Sequence, residues 1–126
     1  MVEQVEQARV AWVDTDAGGR IHFTAAFRWA EAAETALLRR LGFLGGEWGD
    51  YPRRKVEAEY LKVLRFEDEI EIRLHVENVG RTSVTYVWAI AKDGEAYIKG
   101  RHTVVRVDAE GHPEPLDDGL RAALDA

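Results

Sequence analysis

Asp14 and Asp16 stand two residues apart in the run Asp14-Thr15-Asp16-Ala17-Gly18-Gly19, and of all residues in the chain they are best arranged to do chemistry. If the run stays extended, both carboxylates lie on one side, because successive strand residues alternate faces. The two glycines then allow a tight turn with positive φ. A helix beginning soon afterwards, near Thr24, would offer backbone N–H groups without intrahelical partners and the positive end of a dipole. A carbonyl polarised there is open to Asp16 as nucleophile, or to a water that Asp16 activates as general base. Aspartates before glycines also simply build turns, so spacing alone leaves both readings open.

Other reactive residues are weaker on their own. His22, between Ile21 and Phe23, could move a proton or hydrogen-bond a ligand, although a histidine among apolar neighbours is more often structural. His75 falls on the wet face of an alternating strand, His112 in a Gly-Pro turn, and His102 mid-strand with no evident partner. The four histidines show no ligand spacing of the His-Glu-x-x-His kind, so no metal site is expected. Glu31 and Glu34 sit three apart on the helix, where carboxylates usually meet solvent or a nearby base such as Arg28. Arg53-Arg54-Lys55 and Gly80-Arg81-Thr82-Ser83 are local basic or hydroxyl-rich spots that could meet phosphates, or could be a solvated edge and a turn. No Gly-x-Ser-x-Gly elbow, phosphate loop or dinucleotide fingerprint occurs.

The elements that must position these residues follow from periodicity. A first strand is expected over 7–13, a helix over 24–41 with Thr24 as N-cap and Gly42 just past the end, and a glycine-rich loop over 42–52. The helix is dense in alanine, which favours helix and permits close approach to a sheet. Ile70, Ile72, Leu74 and Val76 alternate with charged residues, the mark of a sheet with one wet face. Val56, Ala58 and Tyr60 give a weaker strand signal. The segment 82–92 is apolar on both faces, so it should be central and covered on both sides. Another long strand is expected over 96–107, with tight turns at Gly80-Arg81 and Asp93-Gly94, the latter the stronger hairpin signal. A tail helix over 116–124 closes the chain. One helix cannot cover both faces of so long a sheet, which predicts a second copy on the bare face or edge.

With 126 residues the chain is expected to be one domain, 1–126. The 17 basic against 23 acidic residues leave a net charge of −6, so nucleic-acid binding is disfavoured and an anionic substrate needs a local basic patch. The absence of cysteine excludes disulfides, thiolate metal sites and a cysteine nucleophile. The N-terminus has no signal-peptide pattern and no apolar run reaches membrane-spanning length, so the expected location is cytoplasmic.

Val13 to Phe23, followed by Phe27-Arg28-Trp29 and Glu31, resembles the 4-hydroxybenzoyl-CoA thioesterase family of hotdog-fold proteins. The Gly80–Ser83 turn, the Lys92-Asp93-Gly94 hairpin and the 104–108 strand end fit the same pattern, so the resemblance spans nearly the whole chain. It implies an α+β hotdog fold, a long helix wrapped by a five-stranded antiparallel sheet, in homodimers or homotetramers. It implies hydrolysis of an acyl-CoA thioester, with Asp16 as the catalytic carboxylate and the Phe23 backbone amide as the group that polarises the thioester carbonyl. Gly19 and His22 would belong to the site, Phe27 and Tyr60 would line the acyl pocket, and Arg81, Thr82 and Ser83 would meet coenzyme A. No cofactor is implied, coenzyme A being part of the substrate. Another branch of the family uses a helix glutamate, which keeps Glu31 and Glu34 in reserve. The sequence departs from its relatives at Arg20, where an apolar residue is common, and at Phe23, where histidine or tyrosine is common. The alternatives are a non-catalytic hotdog module that binds acyl-CoA or acyl-carrier groups and, less well supported, a hotdog dehydratase or hydratase.

Overall fold

The computed structural model describes residues 2–45 and 51–126, so the loop expected over 42–52 is described only at its ends, and 46–50 lie outside the described residues. Five strands, β1 (Glu3–Arg9), β2 (Arg53–Tyr60), β3 (Glu69–Val79), β4 (Ser83–Lys92) and β5 (Glu95–Val105), form one antiparallel sheet in the order β1-β3-β4-β5-β2. The long helix α1 (Ala25–Leu41) packs on one face and the short α2 (Asp118–Asp125) ends the fold. A long helix held against five antiparallel strands is the α+β arrangement that the resemblance implies.

Small residues explain how α1 sits so close. Its buried stripe is Ala25, Ala26, Trp29, Ala30, Ala33, Glu34, Leu37 and Leu38, so half of the contact positions are alanine and the helix axis can approach the strands. Gly42 terminates it in the left-handed conformation, φ 86°, with its N–H returned to the Arg39 carbonyl. Thr24 is the N-cap residue by position but makes no side-chain cap; its hydroxyl lies 2.7 Å from His22 Nδ1 instead.

On the sheet, Ile70, Ile72, Leu74 and Val76 of β3 are buried, as their alternation requires. The central placing of β4 also follows its composition. Its inner residues Val84, Tyr86, Trp88 and Ile90 are buried, while Thr85, Val87 and Ala89 opposite are only half-buried, so the cover expected on both faces is complete on one. Asp93 and Gly94 both take positive φ, 51° and 79°, the type I′ geometry of an Asp-Gly hairpin. Gly100 is required by packing, because a Cβ there would stand 2.2 Å from the Trp88 ring.

Two elements differ from expectation. The first strand is Glu3–Arg9, not 7–13: the ladder to β3 ends at Arg9, and a single 3-10 turn, Trp12–Asp14, follows. Glutamate and glutamine fill most of β1, so the strand carries no apolar alternation to read, whereas 8–13 does. The tail helix starts at Asp118 because Asp117 caps it, accepting the Leu120 N–H at 3.1 Å; Leu116, Leu120 and Leu124 still reach the core. Among the described residues no helix is long and apolar enough to cross a membrane.

Candidate active site

Between β1 and α1 the chain folds into a small antiparallel loop. Thr15 and Ile21 form a bridge, flanked by hydrogen bonds from His22 N–H to the Asp14 carbonyl (2.8 Å) and from Asp16 N–H to the Arg20 carbonyl (2.8 Å). At its tip Gly19, φ 79°, returns its N–H to the Asp16 carbonyl, a geometry that favours glycine. Ile21 anchors the loop in the core and donates to the Leu64 carbonyl.

The two aspartates part company here. Asp14 is buried and both its oxygens are engaged: Oδ2 accepts the Ala11 N–H at 2.9 Å and Oδ1 the Arg28 guanidinium at 2.8 Å. Asp16 is exposed, with Oδ1 accepting the Gly18 N–H at 2.7 Å. Asp14 therefore supports the turn, and Asp16 is the carboxylate presented outward.

Further along the same loop lies a peptide unit with its neighbours pinned. The His22 carbonyl accepts the Ala25 N–H at 2.9 Å, the Thr24 N–H reaches His22 Nδ1 at 3.2 Å, and the Phe23 carbonyl accepts the Tyr60 hydroxyl at 2.5 Å. The Phe23 N–H itself finds no acceptor among the described residues. Because the carbonyl of its own peptide unit already accepts a hydrogen bond, this N–H is polarised into a stronger donor. The Phe23 side chain is 62% exposed and stacks on the His22 ring, centroids 4.7 Å apart.

A groove of about 360 Å³ runs along the first turns of α1, lined by Thr24, Phe27, Arg28, Glu31, Arg53, Val56 and His102. Phe27 meets Trp88 edge-on, ring centroids 5.9 Å apart. Tyr60 is not among the described lining residues; its hydroxyl is committed to the Phe23 carbonyl.

Below the groove is a buried polar cluster that sequence reasoning missed. Trp88 Nε1–H donates to His102 Nδ1 at 3.1 Å; since an indole only donates, the histidine proton is on Nε2, 2.7 Å from Glu34 Oε1. Arg53 also reaches Glu34, 2.8 Å to Oε1 and 3.0 Å to Oε2, and Glu31 at 3.2 Å. Burial pushes the Glu34 carboxyl up, but the His102 and Arg53 hydrogen bonds outweigh it and hold the group below its usual 4.5. Glu34 is thus a saturated core residue, not an exposed base, while Glu31 stays on the surface. A signal existed: Glu34 is the one charged residue in the apolar stripe of α1, and His102 has the inward parity of Ile98 and Val104 on β5.

Asp16, Gly19, His22, Phe23 and Tyr60 are brought together at one end of the sheet, with Phe27 just beyond in the groove. Arg81, Thr82 and Ser83 are not. They form the β3–β4 turn at the opposite end of the ten-residue β4, roughly 30 Å away at ~3.3 Å per residue. There the Gly80 N–H closes the turn on the Ser83 carbonyl, and the Arg81 carbonyl accepts from Leu116 and Arg121.

Comparison with known proteins identifies the family and the fold. The sequence profile of the thioesterase superfamily matches residues 18–99, from the tip of the Asp16 loop to the middle of β5. A protein of Aquifex aeolicus (strain VF5) named for esterase activity is 30% identical over 108 residues, 81% of this chain and 84% of the relative. The acyl-CoA thioester hydrolase YbgC of Escherichia coli O6:H1 is 31% identical over 86 residues, 65% of this chain and 64% of its own length. Among solved structures, a hypothetical protein from Aquifex aeolicus superposes with a TM-score of 0.88 at 26% identity, covering 95% of this chain and 98% of the other. The shared profile, relatives and fold lead to one assignment: the chain belongs to the thioesterase superfamily and is a thioester hydrolase of hotdog fold.

Proposed function

We propose that this thioester hydrolase cleaves acyl-coenzyme A to a free acid and coenzyme A, in the manner of the 4-hydroxybenzoyl-CoA thioesterases, with Asp16 as the reacting carboxylate. The observation that carries the reading is the Phe23 N–H, polarised, held and without an acceptor among the described residues, on the same loop as Asp16. The thioester carbonyl oxygen accepts this hydrogen bond, which strengthens as the oxygen takes on negative charge. Asp16 then either attacks the carbonyl carbon, giving a mixed anhydride that water opens, or removes a proton from an attacking water. In both routes the C–S bond breaks, coenzyme A leaves as a thiolate that takes up one proton, and one water is consumed. That a similar Escherichia coli protein is named an acyl-CoA thioester hydrolase supports coenzyme A as the carrier.

The groove beside Phe23 berths a compact acyl group. The test is thiol release from benzoyl-, 4-hydroxybenzoyl-, hexanoyl- and palmitoyl-CoA. One of the first three should turn over fastest and palmitoyl-CoA slowest; no release from any of the four rules the reading out.

The exposed apolar residues around Asp16 support a homodimer or homotetramer. Trp12 (72% exposed), Val13 (78%), Phe23, Leu61, Val63 and Phe66 crowd this end, and β2 presents an unpaired edge beside them. If Arg81, Thr82 and Ser83 meet coenzyme A at Asp16, they do so from another copy, since one protomer keeps them apart. Sedimentation at assay concentration is expected to show a dimer or larger; a monomer would remove this part of the proposal.

A further inference from the structure

We propose that Tyr60 is a positioning residue, whose hydroxyl holds the loop carrying the oxyanion-donating Phe23 amide. This rests on the reading of that amide as the oxyanion donor. Tyr60 is the last residue of β2, on the sheet edge, and its phenol donates to the Phe23 carbonyl at 2.5 Å across a separation of 37 residues. Partial burial pushes its pKa above the usual value, so the hydroxyl stays protonated and remains a donor.

The restraints on the donor's own peptide unit and its next N–H are local. The His22 carbonyl is held by Ala25, the Thr24 N–H by the His22 ring, and both partners lie within three residues. A local set of this kind can shift together as one piece. Outside ties are needed to fix it: before the donor the Ile21 N–H bonds the Leu64 carbonyl and Arg20 bridges Arg65, and after it the Tyr60 hydroxyl bonds the Phe23 carbonyl. Tyr60 grips the peptide unit immediately after the donor, so it fixes the direction in which the Phe23 N–H points. A donor that must meet an oxygen within a few tenths of an ångström depends on such a tie, and small displacements there cost large factors in rate.

A packing role alone fits the residue poorly. Tyr60 is 43% exposed, and the ring leaves the groove lining to Phe27 and Val56. What the hydroxyl adds is orientation, and orientation matters most when the carbonyl oxygen has become an oxyanion.

The experiment is Tyr60→Phe in the full chain, assayed on whichever acyl-CoA of the panel wild type hydrolyses fastest, beside Asp16→Asn. The expected result is about a tenfold fall in kcat, KM within about twofold, and a melting midpoint within a few degrees of wild type. Normal kcat in Tyr60→Phe while Asp16→Asn is inactive overturns the role of Tyr60 and leaves the Asp16 reading standing. Near-normal turnover in both variants removes that reading, and this one with it. A kcat loss that tracks a lowered melting midpoint, and disappears when the assay is run well below it, marks a purely structural residue and also overturns the proposal. So does a KM that rises as kcat holds, which would place Tyr60 in ground-state binding instead.

Discussion

Asp16→Asn is expected to lower kcat for acyl-CoA hydrolysis about 10³-fold, close to 4 kcal/mol of transition-state stabilisation, while the melting midpoint stays near wild type. The amide that replaces the carboxylate neither attacks a thioester nor takes a proton from water, so both proposed routes lose their reacting group. The fold should tolerate the change. Asp16 is exposed, and an asparagine oxygen can still accept the Gly18 N–H that Oδ1 now accepts. Asp14→Asn is the informative control, because its effects should be reversed. That carboxylate is buried against Ala11 N–H and Arg28, so its loss should cost stability, about 1–2 kcal/mol, with any activity loss following the damage to the turn. Thiol-release kinetics with thermal melts on both variants decides the matter, and retention of near-normal turnover by a folded Asp16→Asn protein removes Asp16 from the mechanism.

Glu34→Ala is expected to destabilise the protein by about 3 kcal/mol, a fall in Tm of roughly 12 °C. The variant leaves the His102 Nε2–H with no acceptor in the core, takes from Arg53 the better of its two carboxylates, and opens a void under α1. The same carboxylate sets an acid limit. Its folded-state pKa lies below its usual 4.5, so its ionised form contributes stability above that pH, and the contribution is lost as pH falls through the lowered value. Wild type should therefore lose stability on acidification below about 4.5 more steeply than Glu34→Gln, which has no proton to take up there. Denaturant melts across pH 3 to 7 on the two proteins check this; parallel curves would mean that Glu34 is not ionised in the fold.

Much of the architecture was legible because its elements obey simple periods. The alternation in β3, the double-sided apolar run in β4, the alanine-rich stripe of α1 and the Asp-Gly hairpin each appear where those patterns put them. β1 was misplaced by several residues because its residues are mostly Glu and Gln, and its strand character comes from pairing with β3, which no local pattern carries. The division of labour between Asp14 and Asp16 could be argued from the resemblance but not from spacing. It depends on Arg28, a full turn into the helix, reaching back to one carboxylate and not the other. Tyr60 has the residue type of a pocket lining; its tie to Phe23 spans elements that only the folded sheet brings together. Glu34 and His102 hold inward positions on facing elements, and their pairing becomes visible only once the helix is docked on the sheet.

The Glu34–His102–Arg53 cluster also constrains how this sequence can drift. The buried pair Glu34 and His102 makes sense only together, since exchanging one strands the other's polar group at a cost that is a large share of the ~5–15 kcal/mol by which a domain of this kind holds together. A core in which positions 34 and 102 are both apolar needs no cation at 53, but it also needs a residue other than tryptophan at 88, whose buried indole N–H now donates to His102. The two solutions are neighbours in fold but not in mutational steps, because every path between them passes through a half-converted and unstable intermediate. Relatives should fall into two populations at these positions, all polar or all apolar, with few mixtures between.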